Sequence, residues 1–189
     1  MIGVIFGPPG SGKGTQAARL QSEFGLDHVS TGDMLRAEIA RGTPTGRRVK
    51  AIIAAGDLVP DTLILDLVRM RLATEGGRDF LLDGFPRTVE QARALDALLS
   101  PSGRKVDFVV ALEVPEEALI QRLLGRARKE GRPDDKRAAI LERMREYRTQ
   151  TAPVLAFYQD ANGHVTSVSG IGTPDEVFAR VRKAVPVRA

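Results

Sequence analysis

The chain has 189 residues but no cysteine and no tryptophan, only two histidines, and 5% aromatic residues. Without cysteine there is no disulfide, no thiolate zinc site, no Fe–S cluster and no cysteine nucleophile, and His28 and His164 are the only imidazole ligands on offer. Long apolar runs are also missing. The apolar start, residues 1–7, is too short for a signal peptide and has no basic flank, and nothing approaches the roughly 18 uninterrupted apolar residues of a membrane span. A soluble, cytoplasmic chain with no membrane partner is expected. There is no polybasic block either, although 28 Lys+Arg against 24 Asp+Glu give a net charge of +4. Six of these cations are Lys and 22 are Arg, scattered along the chain. Seven Phe and two Tyr provide no series of rings for stacking bases, so a nucleic-acid partner is not expected. Scattered arginine forks suit small anionic ligands better, because a guanidinium grips a phosphate with two parallel hydrogen bonds. With 42% hydrophobic residues, the chain can form one core that buries roughly 70% of its unfolded surface.

The apolar run at residues 2–6 ends in a Gly/Pro cluster, after which residues 13–24 show helical periodicity through Ala17, Ala18, Leu20 and Phe24. The same strand, turn, helix pattern recurs. Val29-Ser30 precedes a helix at about 31–41, residues 80–82 one at about 88–99, residues 108–112 one from Pro115, and residues 164–168 one from Pro174. Five apolar strands alternating with helices predict an α/β three-layer domain with a parallel sheet covered on both faces. Two stretches depart from the alternation. Residues 31–73 hold three helical patterns and no strand, as a small helical subdomain would. Residues 125–135 are charged and Gly-bounded, and read as an exposed loop between two long helices.

Residues 7–15, Gly-Pro-Pro-Gly-Ser-Gly-Lys-Gly-Thr, lie between the first strand and the first helix, the setting a phosphate-binding loop requires. Glycines let successive N–H groups converge on phosphate oxygens, the helix start adds its positive dipole end, and Lys13 reaches toward the outer phosphates. The common form of this loop has Ser or Thr directly after the Lys, whereas here Gly14 intervenes before Thr15. Asp83 stands at the carboxyl end of a strand, where open α/β sheets bind ligands and a carboxylate can orient Mg²⁺ through water. The following Gly84-Phe85-Pro86-Arg87-Thr88 allows close backbone approach and turns Arg87 to the same side, which implies a second anion site. Ser30 or Thr31 can cap the helix carrying Asp33 and Arg36, and Thr31 with Arg36 can flank one small ligand. Arg122 and Arg126 share a helical face, Arg132 sits in the charged segment and Arg143 follows on the next helix. Asp134 and Asp135 can cap that helix or lock the segment when it closes. Positive charge over a phosphate-binding loop suits phosphoryl transfer, which needs charge neutralised and water kept out.

In this order the motifs resemble the adenylate kinase family of nucleoside monophosphate kinases, from Ile2 to about Arg182. The resemblance rests on residues 7–15, 30–36, 56–60 (Gly-Asp-Leu-Val-Pro), 83–87, Gln91, Arg122 with Arg126, Arg132 with Asp134-Asp135, and Arg143. It explains the displaced Thr15, since that family carries Gly-Thr after the Lys. The resemblance implies a single P-loop kinase core over 1–189, with a monophosphate-binding insertion at 30–59 and a short lid at 125–135. It implies that Gly10, Ser11, Gly12, Lys13, Gly14 and Thr15 hold the ATP phosphates, while Arg126 and the backbone near Gly172 meet the adenosine side. AMP would be held by Thr31, Arg36, Asp57, Leu58, Val59, Gly84, Phe85, Pro86, Arg87 and Gln91. Lys13, Arg87, Arg122, Arg132 and Arg143 would surround the phosphoryl group in flight, with Arg132 and Arg143 also reaching the AMP phosphate. Asp83 would hold Mg²⁺ through water, so the metal arrives with ATP and no protein-only metal site is expected. The short lid has no cysteine and therefore no zinc. Ser169 stands where relatives often have Asp before the glycine of the last strand-to-helix turn.

The implied reaction is reversible transfer from MgATP to AMP, giving two ADP, by a monomer. The acceptor oxygen is already anionic, so no strong general base is needed, in keeping with neither histidine falling in a motif. A kinase for UMP or CMP is the alternative within this class, and Thr31 disfavours it because pyrimidine-directed relatives tend to have Ala there. A hydrolytic P-loop ATPase or switch would leave Arg36, Arg87 and Gln91 without a role.

Overall fold

The computed structural model describes residues 1–55, 59–74, 78–130, 136–161 and 164–186. Five strands form one parallel sheet: β1 (Ile2–Phe6), β2 (Asp27–Ser30), β3 (Phe80–Asp83), β4 (Phe108–Glu113) and β5 (His164–Ser169), in the order β2-β3-β1-β4-β5. Central strands β1 and β3 are buried along their whole length, as continuous apolar runs require when both faces are covered. The outermost β2 and β5 tolerate polar residues, and β2 accordingly begins at Asp27, two residues before the apolar signal at Val29.

Two hydrophobic clusters flank the sheet. On one face, α1 (Lys13–Phe24) and α9 (Pro174–Arg182) bury Ala17, Leu20, Val177 and Val181 against Ile5, Leu81 and Val110. On the other, α5 (Val89–Leu99) and α8 (Ala152–Asp160) bury Ala92, Leu95, Val154 and Tyr158 against Val4, Phe6 and Leu82. The alternation of Val4 and Phe6 with Ile5 between the clusters is the period-two signature of a strand with two buried faces. The helix after β1 and the helix after β3 thus cover opposite faces. A crevice consequently opens above the carboxyl ends of these two neighbouring strands, the switch point where such sheets bind ligands.

The strand-free stretch is helical as expected, with α2 (Thr31–Ala40), α3 (Pro44–Ala55) and α4 (Asp61–Thr74). Val49, Val59, Ile64 and Val68 tie it to the same cluster as α5. Its tightest crossing is at Gly46 in the first turn of α3, where a Cβ would overlap the Glu38 carbonyl of α2. Thr43 braces this approach, accepting from Gly46 N at 2.9 Å and donating to the Glu38 carboxylate at 2.8 Å. Backbone cannot yield as a flexible side chain would, so Gly46→Ala is expected to cost about 1–3 kcal/mol. Thermal unfolding checks this, with a midpoint lowered by roughly 3–10 °C expected for a chain of this size.

Two expectations need correction. The charged segment is predicted from sequence to be a loop from residue 125, but α6 runs Glu116–Glu130, so its first six residues are helical. Nothing crowds Gly125, and the following Arg-Ala-Arg-Lys-Glu are good helix formers, which outweighs one glycine. Residues 131–135, with Arg132, Asp134 and Asp135, lie outside the described residues. The second long helical pattern is also not one helix. Between α7 (Arg137–Glu146) and α8, residues Tyr147–Thr151 form a π turn just before Pro153, whose nitrogen cannot donate to a continuing ladder.

Candidate active site

The loop between β1 and α1 bends through left-handed glycines, Gly10 at φ 81° and Gly12 at φ 94°. Gly10 is also constrained by packing, since a Cβ there would come within 2.9 Å of Leu123 Cγ and 3.1 Å of the Leu119 carbonyl in α6. Gly12 caps α1 without a side chain, and the first turn carries no acidic residue, which leaves the helix start open to an anion. Ser11 is 2% exposed, and its hydroxyl has no hydrogen-bond partner among the described residues. A buried hydroxyl without a partner calls for a ligand or water, and here it lies in the loop that would cradle phosphate.

Lys13 donates to the carbonyls of Gly7 at 2.6 Å and Pro8 at 3.1 Å. Burial holds its pKa down to about 8 from the ordinary 10.5; Asp83 pulls upward, while Arg87, Arg143 and Arg126 push further down. The native state therefore binds fewer protons than the unfolded chain between pH 8 and 10.5, so this residue makes stability rise with pH across that window. Phosphate charge beside the ammonium reverses the shift. Binding of a phosphate-bearing ligand at this loop near pH 8 is therefore expected to take up protons, and affinity to fall as pH rises beyond that value. Calorimetry in buffers of different ionisation heats checks this: a buffer-dependent enthalpy that disappears in Lys13→Met is expected, and a buffer-independent one contradicts it.

The second wall begins where β3 ends. Asp83, the last residue of that strand, is 8% exposed, and its carboxylate faces Gly14 across the cleft floor. Gly84 then turns at φ 79°, where a Cβ would come within 3.0 Å of Thr31 Oγ1 and 3.2 Å of an Arg87 guanidinium nitrogen. Thr31 donates to the Gly84 carbonyl at 3.0 Å, and Arg87 Nε donates to the same oxygen at 2.7 Å. The Phe85–Pro86 peptide is cis. Thr88 caps α5 by accepting from Gln91 N, and Gln91 Oε1 accepts from Arg87 N at 2.7 Å, so the loop and helix start brace each other. Gln91 Nε2 in turn donates to Asp61 at the start of α4, which ties this loop to the strand-free helical stretch. Ser30 caps α2, and Arg36 pairs with Asp33 one turn earlier on the same helix.

Together these elements enclose a cleft of about 540 Å³. Of the residues predicted from sequence, Gly10, Gly12, Lys13, Gly14, Thr15, Arg36, Asp83, Gly84, Arg87, Arg122, Arg126 and Arg143 all line it. Arg122 also donates to the Gly170 carbonyl at 3.0 Å, which fixes the start of the β5–α9 turn beneath α6. Phe85 and Pro86 line a small adjoining pocket of about 60 Å³ together with Arg143. Thr31 and Gln91 are buried behind the Gly84–Arg87 loop, and Val59 packs its side chain into the core. Gly172 stands apart from the cleft lining, in the β5–α9 turn, where a Cβ would come within 2.5 Å of Glu176. Asp57, Leu58 and Arg132 lie outside the described residues.

Sequence reasoning missed His28, which lines the cleft beside Asp83, and Asp61, the anchor of Gln91. For His28 a signal existed: it alternates with buried Val29 and so shares a strand face with Ser30. For Asp61 no local pattern distinguishes an anchor from an ordinary acidic residue in the first turn of a helix.

Comparison with known proteins bears on this arrangement. The family model described as adenylate kinase matches residues 5–163. An adenylate kinase of Thermus thermophilus is 51% identical over 184 residues, covering 97% of this chain and 96% of that protein. The chain belongs to the adenylate kinase family. Adenylate kinases of Xanthomonas oryzae pv. oryzae, at 49% identity, and Xanthomonas campestris pv. campestris, at 48%, each cover 96% of this chain and 97% of their own length. As a member of the adenylate kinase family the chain is an enzyme, a nucleoside monophosphate kinase, and the parallel α/β sheet expected from its sequence is the sheet observed.

Proposed function

We propose that the chain catalyses reversible transfer of the γ-phosphoryl group of MgATP to AMP, giving two ADP, and so balances adenine nucleotides. One observation carries the reading: a phosphate-binding loop and an arginine-bearing second loop face each other across one cleft, with Arg87, Arg122, Arg126 and Arg143 around Lys13. A hydrolase needs one nucleotide site and a positioned water, whereas this cleft has a second cationic wall for another phosphate. Residues 10–15 would hold the ATP phosphates, with Arg126 and the Gly172 turn toward the adenosine. Thr31, Arg36, residues 57–59, the Gly84–Arg87 loop and Gln91 would hold AMP.

The AMP phosphate oxygen attacks in line and needs no base to become anionic, so catalysis rests on alignment and charge. Lys13, Arg87, Arg122 and Arg143 would neutralise the group in transit from positions held by the fold, which costs no reorganisation as charge moves, and Arg132 would join them. Asp83 fits an Mg²⁺ that arrives with the phosphates. Mg²⁺ keeps most of its waters and takes few protein carboxylates, and among the described residues no cluster of three or more His, Asp or Glu offers an all-protein cage. Asp83 would hold it through water, and the chemistry supplied there would be neutralisation of the charge on the reacting phosphates. Residues 30–59 as a monophosphate-binding insertion and 125–135 as a short, zinc-free lid belong to the same proposal. Closure over the cleft would exclude water and suppress hydrolysis.

The residues proposed for both substrates belong to one chain, which supports a monomer, and a cytoplasmic location accompanies it. Among the described residues no helix is long and apolar enough to cross a membrane. The test is ADP formation from MgATP with AMP, UMP, CMP or GMP supplied singly, beside an ATP-only control. Fast turnover with AMP alone is expected. Preference for another monophosphate overturns the assignment of AMP, and ATP loss without an acceptor overturns transfer itself.

A further inference from the structure

His28 lines the nucleotide cleft without belonging to any of the sequence motifs. Its Nε2 is 3.3 Å from Asp83 Oδ2, and the two side chains are only 15% and 12% exposed. The sheet register brings them together. Ser30 pairs with Asp83 and His28 with Leu81, so His28 and Asp83 are diagonal neighbours on one face of adjoining strands. That face is the one covered by α1, where a Cβ on Gly14 would lie 3.7 Å from the same Asp83 oxygen. An ionised carboxylate only accepts, so the Nε2–H of the imidazole donates to it. Asp83 is thus held from the edge strand on one side and limited by the helix start on the other.

We propose that His28 is a positioning residue that fixes the Asp83 carboxylate in the orientation that receives the hydrated Mg²⁺ accompanying the nucleotide. This rests on the reading of Asp83 given above. Groups that orient a metal-binding carboxylate typically change metal affinity by about 10–100-fold when removed, without touching the metal themselves. The role needs a donor at the reach of Nε2 rather than an imidazole as such. A glutamine amide reaches that point, while leucine fills the space without donating.

The experiment measures by calorimetry how much Mg²⁺ tightens binding of a non-hydrolysable ATP analogue, as the ratio of dissociation constants without and with the ion. Full-length wild type, His28→Gln, His28→Leu and Asp83→Asn are compared, with melting curves to confirm folding. His28→Leu is expected to lose about tenfold of the Mg²⁺-dependent tightening with metal-free affinity unchanged, and His28→Gln to keep it. A merely structural role would weaken both affinities together. An unchanged ratio in His28→Leu, or equal losses in the Leu and Gln variants, overturns the proposal. If leucine does not fold, His28→Asn, whose amide stops short of the carboxylate, takes its place under the same criteria. Asp83→Asn separates the two levels. A ratio unchanged there overturns the reading of Asp83, whereas a lowered ratio with His28→Leu unaffected overturns the role of His28 alone.

Discussion

Lys13→Met is expected to lower kcat by roughly two to three orders of magnitude, about 3–4 kcal/mol of transition-state stabilisation, the scale of losing one preorganised donor. The ammonium is held by the Gly7 and Pro8 carbonyls at the start of α1, so its position is set by the backbone of the phosphate-binding loop itself. Methionine fills a similar volume without charge, and the apolar packing of Ala17 and Leu20 beneath α1 stays in place. The melting temperature should therefore hold or rise, since the substitution also removes a cation that burial disfavours. Steady-state kinetics beside a melting curve make the comparison. Near-normal turnover in the folded variant would remove the phosphate-binding role of Lys13.

Arg87→Ala is the second large effect. Its Nε–H is anchored on the Gly84 carbonyl at 2.7 Å and its backbone N–H on Gln91 Oε1 at 2.7 Å, so its guanidinium enters the cleft from a braced loop. Removing it takes away a donor that can contact the acceptor phosphate and the group in transit, and kcat/KM for AMP should fall by at least about 100-fold. Lysine should restore little, because a point charge cannot keep the anchor to Gly84 and grip a phosphate as the planar fork does. The affinity for ATP in the absence of AMP should change by no more than a few fold. An Arg87→Lys enzyme with near-normal kcat/KM would mean that charge alone suffices and that the fork geometry is irrelevant.

Much of this was legible because the informative residues are local. The glycines and Lys13 of the first loop, the Asp83–Arg87 segment and the cap at Ser30 each sit at a strand-to-helix turn, where a short pattern dictates the backbone. The sheet followed from apolar runs in β1, β3 and β4, whose central positions demand hydrophobic residues on both faces. The edge strand β2 reads too short in the sequence, since its polar Asp27 and His28 carry no apolar signal. Alternation with Val29 shows which strand face His28 takes, but its meaning comes from register with Leu81 and Asp83, over 50 residues away. The helical residues 125–130 read as loop because charge and a glycine suggest exposure, yet an exposed helix needs only good formers. Asp61 depends on a contact with Gln91 across 30 positions, and only the fold brings them together.

The most direct test of the whole account starts from a single nucleotide. The chain is incubated with MgADP alone and followed by ³¹P NMR. The account predicts that ATP and AMP appear in equal amounts while ADP falls toward an equilibrium mixture, with no inorganic phosphate, because the phosphoryl group passes between two bound nucleotides with water excluded. Inorganic phosphate accumulating in step with ADP loss, or ADP left unchanged by a folded enzyme, would contradict it.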